Sequence, residues 1–192
     1  MDNQTDGITI EEIKDENGKL LRSISMKNGV PHGEMKIFDE NEQLSAQLMY
    51  ENGVLSGNAQ FFMAGKPTMI ASFTNGKLEG EATLFANGIK VGLANFKNGI
   101  FDGDFTSYDN SGNVIRIAAY ANGQQEGDCQ SFYPDGSLFE HSTYKNGQLD
   151  GEVVKYFQNE NVMEVATFQE GKPYGFVDSY DEDGDLKSRK EV

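Results

Sequence analysis

Tyr144-Lys145-Asn146-Gly147-Gln148-Leu149-Asp150-Gly151-Glu152 is the stretch whose reading decides the fold. Its Asn-Gly pair supplies the two positive φ values of a type I′ turn, whose twist matches that of flanking antiparallel strands. The pair recurs as Asn28-Gly29, Asn52-Gly53, Asn75-Gly76, Asn98-Gly99, Asn122-Gly123 and Asn146-Gly147, then degenerates to Glu170-Gly171. The steps between these glycines are 24, 23, 23, 24, 24 and 24 residues. A second glycine stands four residues after each: Gly33, Gly57, Gly80, Gly103, Gly127, Gly151 and Gly175. Self-similarity at a fixed period is the signature of a repeat architecture.

Midway between these turns runs a second series of breakers: Glu16-Asn17-Gly18, Glu40-Asn41-Glu42, Ala64-Gly65, Asn87-Gly88, Ser111-Gly112, Asp135-Gly136, Asn159-Glu160 and Asp183-Gly184. Two turns per period leave room for strands and none for a helix of normal length. The chain is therefore expected to be all-β: an elongated single-domain array of about eight tandem β-hairpins over residues 16–192, paired into an antiparallel meander. Residues 1–15 are expected to be a partly ordered lead-in. With strands about 4.8 Å apart, each hairpin adds about 9.6 Å, giving a body about 75 Å long whose end repeats fray first.

Three apolar columns repeat with the turns. Phe38, Phe62, Phe85, Tyr108, Phe132, Tyr156 and Tyr180 lie five residues after the second glycine; Met26, Tyr50, Phe73, Phe96, Tyr120, Tyr144 and Phe168 lie three before the first. Met35, Ala59, Ala82, Phe105, Cys129, Val153 and Val177 lie two after the second. A hairpin cannot bury its own face, so equivalent residues of stacked copies are expected to form shared ladders. The first and third columns differ by three positions, which strict alternation puts on opposite faces. Either both faces are partly apolar or a bulge intervenes.

The formal charge is -15, from 16 basic and 31 acidic residues. That field opposes nucleic acid and anionic lipid and favours a cationic partner, while also keeping an edge-rich β protein in solution. A single Cys129 excludes an intrachain disulfide framework and fits a small packed side chain. The start, MDNQTDGITI, lacks a basic and an apolar leader region, and no run approaches the length of a membrane helix. A cytoplasmic location is expected, although a chain trimmed of its export signal would read the same.

The pattern of an aromatic, any residue, Asn-Gly, three residues, then Gly and an acid resembles the MORN repeat variant. Tyr144 to Glu152 and Phe73-Thr74-Asn75-Gly76-Lys77-Leu78-Glu79-Gly80-Glu81 are its best copies. The resemblance covers roughly residues 16 to 192 and departs from the pattern at Pro31-His32, Ala64 to Pro67, Asn159-Glu160-Asn161 and Glu170-Gly171. It implies an all-β array, often curved into a groove, that serves as an interaction platform. Single-array bacterial relatives are commonly labelled antitoxin or immunity proteins.

No phosphate-binding, zinc-protease or nucleophile-elbow motif is present, so no enzymatic role, cofactor or metal is expected. His32 and His141 fall at different phases of the repeat and read as singletons. Asp181-Glu182-Asp183-Gly184-Asp185 hints at calcium, but Ser179 and Lys190 stand where an EF-hand needs carboxylates, and a turn explains the run. The candidate partner-binding residues are the acid pairs flanking the second glycine: Glu79/Glu81, Asp102/Asp104, Glu126/Asp128 and Asp150/Glu152. Such a row would receive Lys and Arg side chains of a basic, toxin-like protein; equally, short acids suit turns. The leading expectation is a non-catalytic scaffold of the antitoxin or immunity kind. The alternative is a structural or envelope-associated protein with lipid contact.

Overall fold

A computed structural model describes residues 7–192, so the first part of the expected lead-in, residues 1–6, lies outside the described residues. Seventeen strands form one antiparallel meander sheet, with no helix among the described residues. The chain divides into two compact units. The first holds β1 (Ile8–Lys14), β2 (Leu20–Lys27), β3 (Val30–Phe38), β4 (Leu44–Glu51), β5 (Val54–Met63), β6 (Lys66–Thr74), β7 (Lys77–Leu78) and β8 (Gly80–Ala86). The second holds β10 (Ile100–Tyr108), β11 (Val114–Ala121), β12 (Gln124–Phe132), β13 (Leu138–Lys145), β14 (Gln148–Tyr156), β15 (Val162–Gln169), β16 (Lys172–Tyr180) and β17 (Leu186–Glu191). Residues of β9 (Ile89–Lys97) belong to both.

The Asn-Gly turns have the geometry the sequence predicts: φ is 51° at Asn122 and 81° at Gly123, with the other copies within a few degrees at Asn. Glu170 adopts φ 49° in the degenerate copy, so the turn survives where the asparagine does not. The second breaker series splits into two kinds. Ala64-Gly65 and Asn87-Gly88 are again two residues at positive φ. Elsewhere the loop is longer: Asp39 N–H donates to Gln43 O at 2.8 Å, Glu42 N–H donates to Asp39 O at 3.0 Å, and Glu42 turns the chain at φ 61°.

In four of these loops an aspartate holds the turn from its first position. One carboxylate oxygen accepts from the backbone N–H groups two and four residues on, at Asp15, Asp39, Asp109 and Asp181. The calcium-like run at Asp181 is thus a fourth copy of a turn device. Hydrogen bonds from the Lys19 and Asn17 backbone hold the Asp15 carboxyl below its ordinary range, and those from Asn113 and Ser111 do the same at Asp109. At Asp135, which sits two positions later in its loop, Ser137 has this effect. A carboxyl depressed in the folded state stabilises fully above its unfolded pKa, and the stabilisation vanishes as pH falls through the folded value. Thermal scans should therefore show the melting temperature level at neutral pH and falling below about pH 4. Asp15→Asn, Asp109→Asn and Asp135→Asn combined should flatten that fall; an unchanged acid limb would refute the assignment.

Each repeat carries two register shifts. One falls between the two apolar columns left open above: Ile37 pairs with Ala46 but Phe38 with Leu44, and Ser107 pairs with Arg116 but Tyr108 with Val114. A bulge does intervene. The other spans the second glycine: Leu48 pairs with Ala59 but Tyr50 with Leu55, and Ser142 pairs with Val153 but Tyr144 with Leu149.

Between these shifts the register brings one row of side chains together on a single face, called the inner face below. In the first unit Ile24, Met35, Leu48, Ala59 and Ala71 stand opposite one another in turn, all buried. In the second unit Ala118, Cys129, Ser142, Val153 and Ala166 do so. Tyr50, Phe61 and Phe73 pack against the first unit's row, and aromatics cluster in the second as well. Tyr120 packs 5.6 Å from Phe101 and 6.5 Å from Phe105, ring centroid to centroid, contacts worth about 0.5–1.5 kcal/mol per pair beyond burial. Each such aromatic also stands opposite a second glycine, as Tyr120 does to Gly103 and Tyr144 to Gly127.

Candidate functional site

The two acids of each pair do different things. Glu79, Asp102, Glu126 and Asp150 precede the second glycine and reach the Asn-Gly turn of the next repeat. Asn98 N–H donates to Glu79 Oε2 at 2.8 Å, Asn122 N–H to Asp102 Oδ2 at 3.4 Å, Asn146 N–H to Glu126 Oε2 at 2.7 Å, and Glu170 N–H to Asp150 Oδ2 at 3.2 Å. Beside each bond runs a backbone bond of the same sense: Gly99 N–H to Leu78 O at 2.8 Å, Gly123 to Phe101 O at 2.8 Å, Gly147 to Gln125 O at 2.9 Å and Gly171 to Leu149 O at 2.9 Å. Two successive residues at positive φ point both N–H groups to one side and form a small anion-binding nest. The acid fills it.

The departure at Pro31-His32 obeys the same logic. His32 Nδ1 takes the acid's place and accepts from Asn52 N–H at 3.4 Å, while Gly53 N–H donates to Pro31 O at 2.7 Å. Replacing Glu126 by alanine should lower stability by about 0.5–1 kcal/mol, the scale of one exposed charge-assisted bond. Glu126→Gln, which keeps an acceptor, should cost less in urea unfolding; equal losses would separate the carboxylate from the turn.

Glu81, Asp104, Asp128 and Glu152 follow the second glycine and are exposed. Their chain neighbours Ala82, Cys129 and Val153 are buried in the inner row, so alternation sends these acids to the opposite, outer face. There Asp104 stands opposite Ala119, Asp128 opposite Thr143 and Glu152 opposite Thr167. In the second unit Asp104 and Asp128 flank a shallow depression floored by Ile117, Ala119 and Gly127, with Gln130 beside them. Asp128 Oδ1 lies 3.2 Å from His141 Nε2. The apolar floor and this His–Asp contact were not readable from repeat spacing, because Ile117 and His141 sit on strands whose outer-face residues vary from copy to copy.

On the inner face of the same unit the Arg116 Nε–H donates to Cys129 Sγ at 3.1 Å, and Arg116 Nη2 lies 3.5 Å from Gln125 Oε1. Cys129 is 3% exposed, a packed side chain held by a guanidinium. No group of three or more His, Cys, Asp or Glu side chains among the described residues could hold a metal ion.

These features define a class, a tandem β-hairpin repeat protein whose copies are joined turn to turn. The family model of the MORN repeat variant matches residues 31–55, in the first unit, and residues 125–146, in the second. Repeats of this family generally mediate binding to protein or membrane lipid and are typically non-catalytic. No curated protein matches the chain. No helix of the described residues is long and apolar enough to cross a membrane.

Proposed function

We propose that the chain is a cytoplasmic, non-catalytic protein-binding scaffold of the antitoxin or immunity kind, taking a basic protein partner. The observation that carries this reading is the outer-face depression. Two exposed carboxylates, Asp104 and Asp128, stand on either side of an apolar floor. A Lys or Arg side chain has the matching form, an aliphatic stem that packs on Ile117 and Ala119 and a charged head between the acids. The charge of -15 would steer such a partner toward the surface. Of the eight acids expected to bind, the proposal keeps Asp104, Asp128, Glu152 and Glu81 as contact residues. It gives Glu79, Asp102, Glu126 and Asp150 a supporting part, since their carboxylates already accept turn N–H groups.

The test is affinity capture from the native host with the intact chain as bait, at low and at high salt. The expected result is a basic protein, lost at high salt and lost again from an Asp104→Lys, Asp128→Lys bait. A basic partner that the reversed bait captures equally well would overturn the site. Liposome flotation addresses the lipid-contact alternative: strong binding to neutral vesicles at physiological salt would replace the present reading.

A further inference from the structure

Eight Asn-Gly pairs occur in the chain: the six of the main turn series, Asn87-Gly88 and Asn17-Gly18. In such a pair the glycine nitrogen, unhindered by a side chain, can attack the asparagine amide carbon. The nitrogen gives up its proton, an N–Cγ bond forms, the Cγ–NH2 bond breaks and ammonia leaves, closing a succinimide ring. Water then opens the ring at either carbonyl to give aspartate or isoaspartate. The only co-reactant is water, and a neutral amide is replaced by a carboxylate.

The reaction requires the turn to open and the glycine N–H to be released, and the structure ranks the eight pairs by how firmly both are held. At Asn17-Gly18 both N–H groups are held within the loop, Gly18 by Asp15 O at 3.0 Å and Asn17 by Asp15 Oδ1 at 2.8 Å. Gly53, Gly76, Gly99, Gly123 and Gly147 each donate to a carbonyl of the preceding repeat at 2.7–2.9 Å. Asn98 and Asn146 are held a second time, by Glu79 at 2.8 Å and Glu126 at 2.7 Å. Asn75 lacks this second bond, because Ser56 stands where the acid would be. Gly88 donates to no acceptor among the described residues, and neither does the backbone N–H of Asn87. The turn is exposed and bordered near Gly88 only by the Lys66 side chain, 3.7 Å from where a Cβ would lie. Gly29, in the first repeat, likewise has no acceptor among the described residues.

We infer that Asn87 is a site of spontaneous, non-enzymatic conversion to aspartate and isoaspartate, with Asn28 next, that inter-repeat bonding shields five of the other pairs, and that the Asp15 loop shields Asn17. The carboxylates of Glu79 and Glu126 then have a second effect besides joining repeats: they slow the chemical ageing of the turns they hold.

The experiment is incubation of the intact chain at mildly alkaline pH, with proteolytic mapping of all eight pairs by mass spectrometry over time. Asn87 should convert first, and Asn98 and Asn146 about tenfold more slowly, the factor one to two hydrogen bonds provide. In urea the eight rates should converge, since the reacting dipeptide is the same throughout. Glu126→Ala should raise the rate at Asn146 to that of Asn75 and leave Asn87 unchanged, which serves as an internal control for folding. Asn146 converting as fast as Asn87 in the folded chain would overturn the inference, as would a spread of rates that persists in urea.

Discussion

Replacing Gly103 by alanine is expected to lower the free energy of unfolding by about 2–3 kcal/mol. Two costs add. The backbone there holds φ at 111°, a region side chains rarely adopt. A Cβ at Gly103 would also come within 3.1 Å of the Asn95 Cβ and 3.6 Å of its Cγ. Asn95 is not free to withdraw, because its Nδ2 donates to Asp104 O at 3.0 Å. The comparison is Gly112→Ala, where φ is 88° but no atom lies within 4 Å of the added carbon. That change should cost about 1 kcal/mol, strain alone. Urea titrations of the two variants distinguish the terms; equal losses would remove steric closeness as the reason for the second glycine.

The largest functional effect is expected from reversing the outer-face acids. Asp104→Lys, Asp128→Lys and Glu152→Lys together should slow association with the captured basic partner by about ten- to a hundredfold at low ionic strength. At high salt the variant and the parent chain should converge, because exposed charges more than a Debye length apart are screened. Asp102→Gln, Glu126→Gln and Asp150→Gln together remove three negative charges but leave the outer-face acids in place. This second set should lower the melting temperature and change the association rate far less. Stopped-flow kinetics that found both sets equally slow would mean that net charge alone, and not the face, governs the encounter.

Much of the fold can be read from spacing, because the Asn-Gly step and the glycine four residues later report backbone dihedrals directly. Those dihedrals do not depend on which neighbour a strand acquires. The face assignment was harder. Met35 and Phe38 differ by three positions, and only a bulge between Ile37 and Phe38, a property of the pairing with β4, settles how they lie. The acid pairs show the same boundary. Their period is visible in the sequence, but Glu126 and Asp128 differ by two positions and alternation alone would send both to one face. The register shift between Ala118 and Tyr120, opposite Glu126 to Asp128, and the open nest at Asn146 draw Glu126 into the turn and leave Asp128 outside. Sequence also gave no sign that His32 would stand in for a carboxylate, since its role depends on a ring nitrogen meeting the Asn52 N–H twenty residues away.

The backbone N–H bonds of the Asn-Gly turn series all run one way: the turn of a later repeat donates and the preceding repeat accepts, as from Asn146 to Glu126 and from Asn122 to Asp102. A chain of interactions with that translational sense has a unit cell of one period and no fixed length. Gaining or losing a whole period between two glycine turns leaves every donor facing an acceptor, whereas a half-period change sets turn against turn of the other kind. Lineages carrying such an array can therefore vary its reach in whole-repeat increments while the bonding at each junction stays the same.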